Sequence, residues 1–189
     1  MSEQILAVIQ GGSATGKSTL AKKLSSDMNY FALTKDNFKE MMYDVLGTPT
    51  SREESELYGL AATKALYAAA ETLLESKKNV IIESAFNKEF ALEDIRRIVG
   101  HRSIHLIQIY VSATPATRLR RYEDRIRSGE RHAGHPDGIG VYTIEHFSSD
   151  EVKYGKLDIN DTVEVNTEKF DDADYQNLLK SIRVMIGEK

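Results

Sequence analysis

The sequence predicts an α/β fold built on a mostly parallel sheet. Three observations predict it. Short runs rich in Val and Ile recur along the chain, longer stretches with helical spacing lie between them, and a glycine-rich loop joins the first run directly to the first helical stretch. Continuous apolar runs suit strands that are covered on both faces, as in a parallel sheet. The intervening helices supply the covering layers.

In chain order, the strands are expected at residues 5–9, 30–33, 80–82, 104–111 and 162–165. The first helix follows Gly16, where Leu20, Ala21 and Leu24 repeat at helical spacing. Further helices are expected at 37–46, 52–77, 89–99, 115–128 and 172–186. The long one opens on Ser51-Arg52-Glu53-Glu54, a capping-box pattern. Its packing face is read from the small-residue stripe Leu57, Ala61, Ala65, Ala68 and Leu73.

Composition narrows the class. The chain has 189 residues and needs no disulfide or structural metal to hold a core. It has no cysteine, which excludes a disulfide framework, a thiolate zinc site and a cysteine nucleophile. Its formal net charge of −4 argues against a broadly basic nucleic-acid surface. No apolar run approaches the roughly 20 residues that span a bilayer. The start Met1-Ser2-Glu3-Gln4 lacks the basic region of a signal peptide. The expectation is a single cytoplasmic domain over 1–189, with acceptor-side helices at about 36–77 and a lid at about 115–140.

The strongest motif is Gly11-Gly12-Ser13-Ala14-Thr15-Gly16-Lys17-Ser18, which matches G-x-x-x-x-G-K-[ST]. Each position has a chemical reason. The glycines let the backbone curl so that successive N–H groups face phosphate oxygens. The helix that follows adds the positive end of its dipole. Lys17 is placed to reach the β- and γ-phosphates and Ser18 to ligate Mg²⁺. Residues Gly11 to Ser18, with Thr19 beside them, are therefore the expected ATP-binding loop.

A guanine-reading N-K-x-D segment is missing: Asn87-Lys88-Glu89-Phe90 carries Phe where Asp is required. This argues against a GTPase. The chain is also too short beyond Lys17 for a ring-forming ATPase with a helical lid domain. A phosphotransferase needs an acceptor-side base, positive charge over the moving phosphoryl group, and exclusion of water.

Asp36 follows the second strand and meets the first need, since the C-terminal strand ends of a parallel sheet share one crevice. Its alternative is a helix N-cap for 37–46. In the helix from Pro115, Arg118, Arg121 and Arg125 fall within about 60° of one another. Arg121 and Arg125 are the expected phosphate contacts. The segment Ser128 to Pro136 is the expected flap, with Arg131 closing on the nucleotide. Seven of the 12 glycines lie in the phosphate loop (Gly11, Gly12, Gly16) and at 129–140 (Gly129, Gly134, Gly138, Gly140), which marks both as backbone-shaped sites. His132 and His135 have no carboxylate pair or cysteine beside them, so a metal is not expected there. His101, His105 and His146 are read as structural. Glu83 ends the third strand, where a carboxylate supports Mg²⁺ or touches the acceptor.

With these residues assembled, the chain resembles the P-loop kinases of the adenylate-kinase-like group, nearest to polynucleotide-kinase-type and zeta-toxin-type ATP-binding proteins. The matching pieces are Gly11 to Ser18, Lys35-Asp36, the strand end at 80–87, Arg121 with Arg125, and the lid at 131–135. The resemblance implies a three-layer P-loop NTPase sandwich with a five-stranded parallel sheet in the order 2-3-1-4-5. It implies Asp36 as base toward an acceptor hydroxyl, phosphate binding by Arg121 and Arg125, and a loop at Asn166-Thr167 near the adenine. Glu83 departs from the more usual Asp, and 37–76 carries no acceptor pattern.

The leading expectation is a Mg²⁺-ATP-dependent kinase for a hydroxyl on a small molecule such as a nucleoside, sugar, antibiotic or other metabolite. One alternative is a polynucleotide 5′-hydroxyl kinase, for which Phe38, Lys39 and Tyr43 would supply a basic, aromatic groove. Another is a non-catalytic ATP-binding regulatory protein.

Overall fold

The computed structural model describes residues 3–129, 131–135 and 142–187. Five parallel strands form one sheet: β1 (Gln4–Gln10), β2 (Phe31–Thr34), β3 (Val80–Ser84), β4 (Ile104–Ser112) and β5 (Asp161–Asn166). Their spatial order is β2-β3-β1-β4-β5, as the resemblance implies. All five strands appear where the apolar runs place them.

The register explains the core. β1 is central, pairing in parallel with β3 through Leu6–Val80 and with β4 through Leu6–Leu106. Alternate β1 side chains therefore serve opposite layers. Ile5, Ala7 and Ile9 pack with Leu20 and Leu24 of α1 (Lys17–Met28) and Leu178 and Ile182 of α7 (Asp172–Met185). Leu6 and Val8 pack with Leu66 and Leu74 of α3 (Arg52–Glu75) and Ile95 of α4 (Ala91–Val99). Burial on both faces is why the run Ile5 to Ile9 shows no polar alternation.

Two helices shape the crevice beside α3. The first is α2 (Lys35–Leu46), and the other is α5 (Pro115–Arg127). A seventh helix, α6 (Ile144–Tyr154), has no counterpart among the expected elements. It is short and mostly polar, and it buries only Phe147 and Asp150. Thr143 caps it by accepting from His146 N–H.

The face of α3 is rotated from the expected one. Tyr58, Ala62, Leu66, Ala70 and Leu74 are buried, together with Tyr67, while Leu57 is 62% exposed. The observed stripe repeats every four residues and includes two tyrosines whose rings carry the packing. The buried stripe lies one position on from the expected Leu57, Ala61, Ala65 and Leu73, and two on from Ala68. Ser51 caps α3 by accepting from Glu54 N–H, but the Glu54 carboxylate accepts from Thr50 N–H and Oγ, one residue before the cap. This is a variant of the expected capping box.

Among the described residues no helix is long and apolar enough to cross a membrane.

Candidate active site

The phosphate loop runs between the last residue of β1 and the first of α1. Gly11 has φ of 152°, and a Cβ there would lie 2.1 Å from the Val111 carbonyl oxygen. A Cβ on Gly12 would lie 2.3 Å from the Arg118 guanidinium. The loop is therefore pressed from below by β4 and α5. Gly16 and Ala14 adopt left-handed conformations, with φ of 92° and 60°.

Lys17 donates to the Gly12 carbonyl at 2.7 Å and lies 3.8 Å from Glu83. Ser18 Oγ donates to the other Glu83 oxygen at 3.1 Å. Burial pulls the Lys17 ammonium below its usual value, opposed by Glu83 and then Asp36. The same burial pushes the Glu83 carboxyl up, opposed by Lys17. Burial thus shifts both groups toward neutrality, and each opposes that shift in the other.

Asp36 is in the first turn of α2, one residue inside the helix, and Thr34 occupies the N-cap. The N-cap alternative for Asp36 therefore does not apply. Its carboxylate reaches solvent at the mouth of the crevice but is ringed by cations. Nearby protein atoms favour its neutral form. Lys35, His135, Lys17 and Arg131, in falling order, outweigh that and hold it below the usual carboxylate range. Lys17, Ser18, Glu83, Asp36, Arg125 and Arg131 all line one cleft of about 340 Å³.

A second hollow, about 660 Å³, lies on the far side of Gly16 and is lined by Thr19, Arg121, Thr167 and Tyr175 among others. Arg121 donates to Thr167 Oγ1 at 2.9 Å and to its carbonyl oxygen at 2.5 Å. Thr167 Oγ1 in turn lies 2.8 Å from the Thr15 carbonyl oxygen. Arg121 thus faces the second hollow, one turn away from Arg125, which lines the cleft with Lys17 and Asp36. Asn166 accepts from Glu168 N–H through its side-chain oxygen at 2.9 Å.

The arginine row divides three ways. Arg118 is 1% exposed. It donates to the Ser13 carbonyl, the Phe147 carbonyl and Asp150, at 2.8, 2.8 and 2.7 Å. Spacing alone does not distinguish this buried prop from its two neighbours. Gln10 is a second prop that sequence reasoning missed. It is fully buried, exchanges hydrogen bonds with both the N–H and the carbonyl of Phe86, and donates to the Gly155 carbonyl. It ties the end of β3 to the end of α6. A polar residue closing an otherwise apolar strand was the available signal.

Of the flap, Arg131 to His135 is described, while Glu130 and 136–140 lie outside the described residues. The described part rests on α2. His132 pairs with Asp44 and His135 with Glu40, both at 3.0 Å. Tyr43 lies between the two imidazoles. The histidines therefore dock the flap, and no cluster suited to a metal occurs among the described residues. Phe38 packs against the core and Tyr43 is buried, so neither offers a stacking platform to a nucleic acid. His105 pairs with Asp161, consistent with its structural reading.

A Cβ on Gly134 would lie 2.4 Å from the Tyr43 ring. Gly134→Ala is expected to lift the flap from α2, seen as faster amide exchange across 131–135, with the melting temperature changed by less than about 2 °C. Unchanged exchange would show that the contact does not hold the flap.

A family model described as AAA domain matches residues 6–137. A candidate kinase from Chloroflexus aurantiacus J-10-fl is 30% identical, superposes with a TM-score of 0.87, and covers 97% of this chain and 98% of its own. Two further structures share the fold at lower identity. The APS kinase of Mycobacterium tuberculosis, in complex with AMPPNP and APS, is 15% identical with a TM-score of 0.62, covering 97% of this chain and 99% of that one. A gluconokinase from Sinorhizobium meliloti 1021 is 13% identical with a TM-score of 0.58, covering 99% and 94%. No curated protein matches.

Proposed function

Because the chain belongs to the AAA domain family and has the fold of the P-loop kinases, we propose that it transfers the γ-phosphoryl group of ATP to a hydroxyl of a small acceptor. The observation that carries this reading is the shared cleft. Lys17, Ser18, Arg125 and Arg131 face the same space as the acceptor-side carboxylate of Asp36.

The residues fit Mg²⁺-ATP. The loop leaves no room for side chains at Gly11 and Gly12, which suits backbone N–H groups that approach phosphate closely. Ser18 and Glu83 offer hard oxygen donors, the kind Mg²⁺ prefers beside phosphate and water. Mg²⁺, when bound, would neutralise charge between the β- and γ-phosphates.

In this reading the phosphate loop holds the triphosphate, and Lys17 leaves the Gly12 carbonyl to reach it. Thr19, Arg121 and Thr167 border the base. Asp36 accepts a hydrogen bond from the acceptor hydroxyl and orients its oxygen toward the γ-phosphorus. As the new O–P bond forms, the bond to the β,γ-bridging oxygen breaks, ADP leaves with that electron pair, and the hydroxyl proton passes to Asp36. Its lowered pKa makes it a weak base, so the proton moves late and orientation is its larger contribution. Arg125 and Arg131 stabilise charge on the moving phosphoryl group. The flap, docked on α2, excludes water.

Lys17→Met tests this directly. Transfer of label from ATP is expected to fall by about 10²–10³-fold. Unchanged transfer would remove the phosphate loop from the mechanism.

A further inference from the structure

Beyond the catalytic cleft, a larger space opens between α2, α3, the end of β3 and α6. It measures about 980 Å³ and shares Lys35, Lys39, Ser84, Ala85, Tyr142 and Tyr154 with the cleft. Asp36 lines the adjoining cleft. The volume is that of a small-molecule site.

Its charge is uneven. The two carboxylates on its walls are already neutralised, Glu56 by Arg52 at 2.9 Å, and Asp94 by Arg97 and Lys64 at 2.6 and 3.2 Å. Three lysines also face the space: Lys35, Lys39 and Lys153. Among the described residues neither Lys35 nor Lys153 forms an ion pair. Lys39 reaches across to Ser55 of α3 at 3.3 Å. Opposite it, inside the 24-residue α3, stands Gly59, whose missing Cβ would lie 3.9 Å from the Lys39 ammonium. A glycine inside a helix weakens it by about 0.5–1 kcal/mol relative to alanine. At this position it keeps the space beside an ammonium group open.

Lys35 and Lys39 are four residues apart and share one face of α2. Asp36 and Lys39 are separated by roughly 4.5 Å along the helix axis. A hydroxyl at Asp36 and an anionic group at Lys39 would thus be a few bonds apart on one molecule. Resting on the kinase reading above, we propose that the acceptor is a small hydroxyl compound carrying a phosphate or carboxylate group, with Lys35, Lys39 and Lys153 holding that anion.

The test measures transfer from labelled Mg²⁺-ATP to matched acceptors: glycerol and glycerate, ribose and ribose 5-phosphate, adenosine and adenosine 3′-monophosphate, and a 5′-hydroxyl oligonucleotide. The expected result is label in anionic members over their neutral partners by about tenfold or more in kcat/KM. Lys39→Met and Lys153→Met are each expected to raise KM for the preferred acceptor about tenfold, with KM for ATP unchanged. Neutral members labelled equally well, an oligonucleotide preferred over the nucleotides, or lysine variants with unaltered KM would overturn this proposal and leave the kinase reading standing. Label in none of the compounds, with ATP still bound, would overturn both.

Discussion

Replacing Asp36 by Asn is expected to lower phosphoryl transfer to the acceptor about 10²–10⁴-fold, with KM for ATP held within about twofold. The substitution keeps the size of the side chain and removes the charge that, in the proposed mechanism, orients the hydroxyl and receives its proton. It leaves the phosphate loop untouched, so nucleotide binding and the slow leak of phosphoryl to water should persist. The pH profile adds an independent reading. The cations around Asp36 hold its pKa down, so the carboxylate stays ionised above the ordinary value and is lost only as pH falls through the lowered one. No acid limb above about pH 5 is therefore expected from Asp36. Steady-state transfer measured across pH on both proteins checks this. An Asn variant with full transfer would make Asp36 a structural residue of the first turn of α2.

The largest expected effect on stability lies at Arg118. Replacing it by Met would leave the Asp150 carboxylate buried without its guanidinium, and would strip a donor each from the Ser13 and Phe147 carbonyls. Breaking a buried pair from one side costs about 3–5 kcal/mol. For a chain of this length that corresponds to a fall in melting temperature of about 10 °C. Loop geometry should suffer as well, because Arg118 is the atom group that a Cβ on Gly12 would strike. Thermal unfolding with and without ATP measures both effects. The double change Arg118→Met with Asp150→Leu should recover part of the loss, since no unpaired charge remains. A single variant as stable as the parent would show that the pair contributes nothing to the fold.

These two residues also mark how far the sequence carries. The place of Asp36 in the cleft was legible because strand ends in a parallel sheet share one crevice, so its position after the second strand was enough. Arg118 was not, since Arg118, Arg121 and Arg125 have the same helical spacing and the same chemistry. Their separation into a buried prop, a residue of the hollow beyond Gly16 and a residue of the cleft depends on what each meets. α6 supplies Phe147 and Asp150 to Arg118, β5 leads into Thr167 for Arg121, and Arg125 is left beside Asp36 and Arg131. α6 itself gave little local signal, because its few buried residues contact α5 rather than the sheet.

Sequence alone determined the sheet, the phosphate loop, and the likeness to P-loop kinases. These follow from short-range patterns: apolar runs without alternation, a loop whose glycines are required by backbone curvature, and a lysine and serine at fixed distance from it. Only the tertiary structure decided which face of α3 is buried, that the flap histidines meet Asp44 and Glu40 of α2, and that Lys35, Lys39 and Lys153 face a common space. These are contacts between elements far apart in the chain, and local periodicity carries no information about the partner an exposed-looking side chain will find.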